Sequence, residues 1–197
     1  IDFMTEEYPP YNLKQDGEIV GIAVDMLRAV FKELALDTAA DNIRVLPWAR
    51  GYANAQDEGS KNVIFSTTRT EDRESLFKWA GPISDTVISV FALKENNIKI
   101  NKASDLGLYK AAVIRDDIGQ LLMLEAGVPE SKLSKLNKFS QVLKKVDNGR
   151  AQLLAYEKNV SKWLIKQLDK NPDDYEVVFT LKRAELWYAI NKSVDDS

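Results

Sequence analysis

The segment from Asn62 to Pro82, NVIFSTTRTEDRESLFKWAGP, decides how the rest of the chain is read. Val63-Ile64-Phe65 is a short apolar run and predicts a buried strand. Ser66, Thr67 and Thr68 follow at once. Thr70, with Glu71 and Asp72 behind it, predicts a helix start whose acidic first turn suits the positive end of the dipole. Three residues past Thr70, where a capping box would hold Glu or Gln, the chain has Arg73. A strand that runs out into hydroxyls and amide N–H groups suits an anion. The planar fork of Arg73 can hold a carboxylate at two points. A plainer reading is a surface helix start in which Arg73 pairs with Glu71, Asp72 or Glu74. The local residues leave both open.

The whole chain narrows the choice of chemistry. Its 197 residues suffice for one large domain or two small lobes. With 45% hydrophobic and 29% charged residues the composition is that of a globular protein. A net charge of -3 argues against a nucleic-acid partner, which would need a basic face. No apolar run reaches the roughly 18 residues of a membrane span. Ile1-Asp2-Phe3 starts abruptly inside a predicted strand, so the expectation is a mature or trimmed product whose leader peptide is not in this chain. There is no histidine and no cysteine. Imidazole and thiolate metal sites, Cys nucleophiles and His-based triads are therefore excluded, and neither a cofactor nor a metal is called for.

Outward from the central segment, the pattern alternates. Ile1 to Thr5 predicts a strand. Glu6-Glu7-Tyr8-Pro9-Pro10-Tyr11 predicts a loop stiffened by two prolines, and Gln15 to Glu18 a turn. Leu27, Val30, Phe31 and Leu34 fall at i, i+3, i+4 and i+7 and predict the inward face of a helix over about Ala23 to Leu36. A short strand follows over Asn42 to Leu46, then Pro47-Trp48-Ala49-Arg50, and a helix through Tyr52 to Ala55. The order β-α-β-α-β-α is that of an α/β sheet. Beyond it, Thr86 to Leu93 predicts a strand, and the polar stretch Lys94 to Lys102 a boundary between lobes. A second series predicts strands at Ala111 to Ile114, Ala151 to Ala155, Tyr175 to Phe179 and Leu186 to Ile190. Its helices are expected at Gln120 to Ala126, Ser140 to Asn148 and Val160 to Leu168. Trp79, Trp163 and Trp187 are read as packing residues.

Read together, five stretches resemble the family 3 extracellular solute-binding proteins, the periplasmic amino-acid binders of ABC importers. They are TEEYPPYN at Thr5–Asn12, GIAVDML at Gly21–Leu27, STTRTEDRE at Ser66–Glu74, ASDLGLYKAAVIRDD at Ala103–Asp117 and NGRAQLLAYE at Asn148–Glu157. The resemblance implies an α/β, two-lobed, type II periplasmic-binding-protein-like fold, each lobe a mixed sheet flanked by helices. It implies lobe 1 at residues 1–88 plus 188–197 and lobe 2 at residues 89–187. Two hinge crossings would lie near Val87–Leu93 and Leu181–Ile190, with a ligand closed between the lobes. On that pattern Arg73 would hold the ligand α-carboxylate, and Ser66, Thr67 and Thr68 would add hydroxyl and backbone bonds. Tyr8 and Trp48 would line the side-chain pocket, and Glu157 would meet the α-ammonium group. Asp117 stands in the second-lobe loop where the family often has Thr or Ser. Arg50 and Arg115, near the cleft on the same pattern, complete the candidate set.

The function this implies is capture of a small polar solute, most simply an amino acid, by a periplasmic monomer that delivers it to the permease of an ABC importer. A second reading keeps the fold as the sensing domain of a membrane receptor, a kinase or cyclase, partnered by its transmembrane subunit. A third is an enzyme using Glu157 or Asp117 as an acid, against which no second carboxylate is placed opposite. The family usually continues into packing helices where this chain ends at Ser197, so a trimmed tail or a shorter relative is expected. Side-chain cues for the ligand conflict. Arg50, Arg69 and Arg115 favour an acidic solute, Asp116 and Asp117 a basic one, and Tyr8, Tyr11 and Trp48 an apolar one.

Overall fold

Val63, Ile64 and Phe65 lie in a strand, as their apolar run predicts, and every residue of that strand, Asn62–Thr68, is buried. The computed structural model describes residues 1–35 and 42–195. The chain divides into two compact units, Ile1–Thr86 with Ala184–Ser197, and Val87–Arg183. Two long strands, β6 (Lys78–Leu93) and β10 (Tyr175–Ile190), carry the chain from one unit to the other. The polar stretch Lys94 to Lys102 lies inside the second unit.

In the first unit β1 (Asp2–Thr5) runs parallel to both β4 (Arg44–Val45) and β5 (Asn62–Thr68). The end of β10 pairs antiparallel with β5. Leu13–Gln15 (β2) and Glu18–Val20 (β3) form a separate hairpin. Asp16 and Gly17, both at positive φ, turn it as the sequence predicts. Helix α1 covers Ile22–Glu33. The end expected for it at Leu36 lies outside the described residues. Of its expected inward face, Leu27 is buried and Phe31 is half-buried, while Val30 and Leu34 are exposed and Ala23 and Val24 are buried in their place. A side chain at Gly21 (φ 120°) would come within 2.6 Å of the Tyr11 carbonyl oxygen and 2.7 Å of that of Pro10. The first turn is thus pressed onto the proline loop, and Phe31 in the last turn packs edge-on against Phe3 of β1, ring centroids 5.3 Å apart.

The second unit repeats the layering. Strands β7 (Ala111–Ile114) and β9 (Leu153–Glu157) run parallel, and β6 pairs antiparallel with β9. An outer strand, β8 (Leu133–Leu136), extends β7 in parallel. Sequence reading gives no strand there, because LSKL is only half-buried and follows a short 3-10 turn. Helices α4 (Ile118–Glu125), α5 (Phe139–Asp147) and α6 (Lys158–Gln167) cover the sheet. Val142, Leu143 and Val146 face inward on α5 as predicted. Val90, Leu106, Val113, Met123 and Leu153 form the core. The two strands expected at Tyr175 to Phe179 and Leu186 to Ile190 are one strand, β10. Trp163, expected to pack, is 47% exposed.

Candidate functional site

In an open α/β sheet, residues that meet a ligand collect where parallel strands end. In the first unit those ends are Thr5 on β1 and Thr68 on β5. Helix α2 (Trp48–Gln56) begins just after β4 and contributes beside them. It starts four residues earlier than predicted, so Trp48 is its first residue, not part of a loop. Trp48 and Tyr52, four apart, share one face and their rings stack with centroids 5.3 Å apart. Arg50, two residues from each, lies on the opposite face and is exposed.

The end of β5 is bent on purpose. Thr67 pairs with Trp187 and Ile64 with Ala189, so Phe65 and Ser66 face the single residue Tyr188 across a bulge. Ser66 sits at φ 57°, a left-handed conformation that costs about 1–3 kcal/mol in a non-glycine residue. Its hydroxyl donates to the side-chain oxygen of the buried Asn12. Asn12 in turn donates to Thr5 Oγ1 at 2.7 Å and to the Glu6 carbonyl at 2.6 Å. Its own carbonyl accepts from the Tyr8 amide at 2.8 Å. Tyr8 is buried beside Tyr11, ring centroids 5.8 Å apart. Asn12 therefore holds together the strained bulge and the proline loop. Asn12 ends the stretch TEEYPPYN, where a lone Asn after a Pro-rich loop reads only as a turn residue. Thr67 Oγ1 donates within its strand to the Ile64 carbonyl at 3.3 Å.

Helix α3 (Glu71–Glu74) is a single turn, and Thr70 makes no side-chain cap to it. Arg73 is buried, 2% exposed. Its Nη1 donates to the Thr68 carbonyl at 3.1 Å, whereas Nε and Nη2 have no hydrogen-bond partner among the described residues. The guanidinium lies 5.3 Å from the Trp48 ring centroid and 5.0 Å from that of Tyr52. The plainer sequence reading, an ion pair with Glu71, Asp72 or Glu74, does not hold. Glu74 pairs with Arg69, whose Nε and Nη2 meet its two oxygens at 2.7 and 2.5 Å. Each cation–π contact is worth about 0.5–2 kcal/mol. Two charged donors left buried without acceptors cost more than that, about 1–3 kcal/mol each or above. The arrangement is complementary to a planar anion that accepts two parallel hydrogen bonds. Tyr52 is the residue that sequence reading passed over, although its i+4 spacing from Trp48 was visible.

In the second unit the candidates stand at or just past parallel strand ends, but their polar atoms are committed. Asp117 caps α4, accepting from the Gly119 amide at 2.9 Å. A side chain at Gly119 would come within 2.6 Å of the Ala155 carbonyl oxygen, so the start of α4 lies hard against β9. Glu157 caps α6, its Oε2 accepting from the Val160 amide at 2.6 Å and its Oε1 from that of Val87 at 3.5 Å. Both carboxylates are buried. Arg115 is exposed and reaches Asn137 Oδ1 at 3.4 Å and the Lys135 carbonyl at 3.5 Å. The structure thus brings together Trp48, Thr68 and Arg73, links Tyr8 with Ser66 through Asn12, and leaves Arg50 and Arg115 on the surface.

Among the solved structures with the same architecture are amino-acid-binding proteins. The arginine-, lysine-, histidine-binding protein ArtJ from Geobacillus stearothermophilus superposes with a TM-score of 0.80 at 19% identity, covering 98% of this chain and 82% of that one. An ancestral arginine-binding protein bound to arginine gives 0.78 at 21%, covering 97% and 84%. Holo ArgBP from T. maritima gives 0.76 at 18%, covering 96% and 82%. These likenesses show the type II periplasmic binding fold. The sequence profile of the bacterial extracellular solute-binding proteins, family 3, matches residues 3–194, and the chain belongs to that family.

Proposed function

We propose that this protein captures a free amino acid by its α-carboxylate, with Arg73 as the anchor, and delivers it in the periplasm to the permease of an ABC importer. The observation that carries the reading is Arg73 itself, a buried guanidinium with Nε and Nη2 unpaired. A carboxylate at those two donors forms a charge-assisted, two-point contact, among the stronger hydrogen bonds available to a protein. Trp48 and Tyr52 form an aromatic bed for the guanidinium and hold its plane. Thr68 fixes the third nitrogen, and Ser66 with Asn12 holds the bulge that sets the direction of β5. The proposal rests on the first unit. Asp117 and Glu157, which a catalytic reading would use as acids, already serve as helix caps, so the proposal is for binding without chemistry. That ArtJ is an arginine-, lysine-, histidine-binding protein, and that an ancestral arginine-binding protein of the same fold has been solved bound to arginine and bound to glutamine, supports a solute of the amino-acid class.

The test is a thermal-shift screen of the twenty amino acids and small dicarboxylates on wild type and Arg73→Ala. A ligand at about 100 times its dissociation constant stabilises by about 2.7 kcal/mol. For a chain of this size that is on the order of 5–11 °C in melting temperature. A shift seen in wild type and absent in Arg73→Ala is expected. If no amino acid shifts wild type, or if Arg73→Ala responds equally, the proposal fails.

A further inference from the structure

The one-turn helix that carries Arg73 has no side-chain cap, and four residues cannot stabilise themselves. Something else must hold the guanidinium in place. Arg69 stands two residues before that helix begins. Its amide donates to the Glu185 carbonyl at 3.2 Å, and its side chain grips Glu74 at two points. The same guanidinium lies 4.4 Å from the Trp187 ring centroid and 5.5 Å from that of Trp79. Trp79 closes the ring by donating its Nε1–H to the Glu74 carbonyl at 3.3 Å. The Trp187 ring rests against Gly81, where an added Cβ would come within 3.0 Å of it. A row of aromatic rings then leads inward from Trp79 to Phe77 (5.6 Å) and from Phe77 to Tyr52 (5.7 Å), the ring under Arg73.

From this we infer that Arg69 is a positioning residue: clamped to Glu74 and seated between Trp79 and Trp187, it fixes the turn on which Arg73 approaches a carboxylate. An exposed ion pair adds little to global stability. A two-point grip between planar groups, with the cation also stacked on rings, does fix orientation. The inference rests on the reading of Arg73 as the carboxylate anchor. Arg69 contributes through the backbone of its turn and through the aromatic row, and it does not touch the ligand.

The test has two arms. In the first, L-arginine and L-glutamine are titrated calorimetrically into wild type, Arg69→Met, Glu74→Gln, the double variant and Arg69→Lys. Each single variant is expected to weaken binding roughly tenfold, with the double variant no worse than the weaker single, because both break one clamp. Arg69→Lys does not restore affinity, since an ammonium cannot grip at two points. Unchanged affinity in Arg69→Met, losses that add in the double variant, or full rescue by lysine overturns the inference. If Arg69→Met folds poorly, Arg69→Lys and Glu74→Gln carry the same comparison. The second arm needs no ligand. In arginine-labelled protein the Nε–H of Arg73 exchanges slowly in wild type and about tenfold faster once the clamp is broken. Equal exchange in both overturns the inference. A wild type that binds no amino acid overturns the proposed function instead, and the exchange measurement still decides the role of Arg69.

Discussion

The buried polar residues near the end of β5 and those near the ends of β7 and β9 are used in opposite ways. After β5, Arg73 is buried with two donors unpaired among the described residues. Asp117, just after β7, and Glu157, the last residue of β9, are equally buried, yet each caps the helix that follows it. A carboxylate next to a helix N-terminus has amide donors at hand and stabilises its own backbone with them. A guanidinium in the middle of a one-turn helix finds few acceptors nearby, since a strand end offers little beyond one carbonyl. Polar residues near strand ends thus leave an unpaired group in one unit and helix caps in the other. The chemistry of the side chain, not its address, makes the difference.

The largest expected effect tests the unpaired side of that contrast. Arg73→Ala should cost about 2–5 kcal/mol of amino-acid binding, read by calorimetry. Arg73→Met, which fills the space without a charge, should leave the unliganded protein as stable as wild type or more so in urea unfolding. A large loss of unliganded stability in Arg73→Met would show that the guanidinium is structural, and the contrast would collapse.

Next comes Glu157→Ala. Loss of the α6 cap should lower stability by about 1–2 kcal/mol, whereas Glu157→Gln, which keeps an acceptor oxygen, should lose less. Equal stability of wild type and Glu157→Ala would mean that the carboxylate is not acting as a cap. Asp117→Ala should cost about 1 kcal/mol by the same argument, with Asp117→Asn close to wild type in the same unfolding experiment.

The smallest effect is a pH dependence at the clamp. The hydrogen bond from Arg69 holds the Glu74 carboxyl below its ordinary value of 4.5. A depressed folded value contributes stability that is fully present above 4.5 and is lost as the pH falls through the lowered value. Urea unfolding followed from neutral pH down through that range should therefore fall slightly more steeply in wild type than in Arg69→Met. Parallel profiles would count against a clamp in solution.

Much of this was legible in the chain. The alternation of strands and helices, the buried run Val63-Ile64-Phe65 and the inward face of α5 follow from periodicity, because local spacing alone determines which residues share a face. The fold class and the family were legible in motifs that run in order along nearly the whole chain. Other features were not. The charged residues Lys182, Arg183 and Glu185 divide β10 into two apolar runs on paper. The strand is nonetheless continuous, since its middle is only partly buried and tolerates charge. The helical stripe Leu27, Val30, Phe31 and Leu34 has the right period, and Leu27 and Phe31 do turn inward, but Val30 and Leu34 are exposed and Ala23 and Val24 are buried instead, beside the close approach at Gly21.

The residue Arg73 and its capacity for a carboxylate could be named from sequence, as could Trp48, because residue type and motif suffice to state what a group can bind. Whether it was paired could not. Glu71, Asp72, Glu74 and Arg69 all stand within four residues of Arg73, and every pairing among them was sterically open in an unfolded chain. Only the bulge at Ser66, the stack of Trp48 on Tyr52 and the seat of Arg69 between two tryptophans assigned Glu74 to Arg69 and left Arg73 with two buried donors unpaired among the described residues. Sequence spacing sets what neighbours along the chain can do. The partition of partners between two nearby cations is decided by strands and rings that reach them from residues far away in the chain.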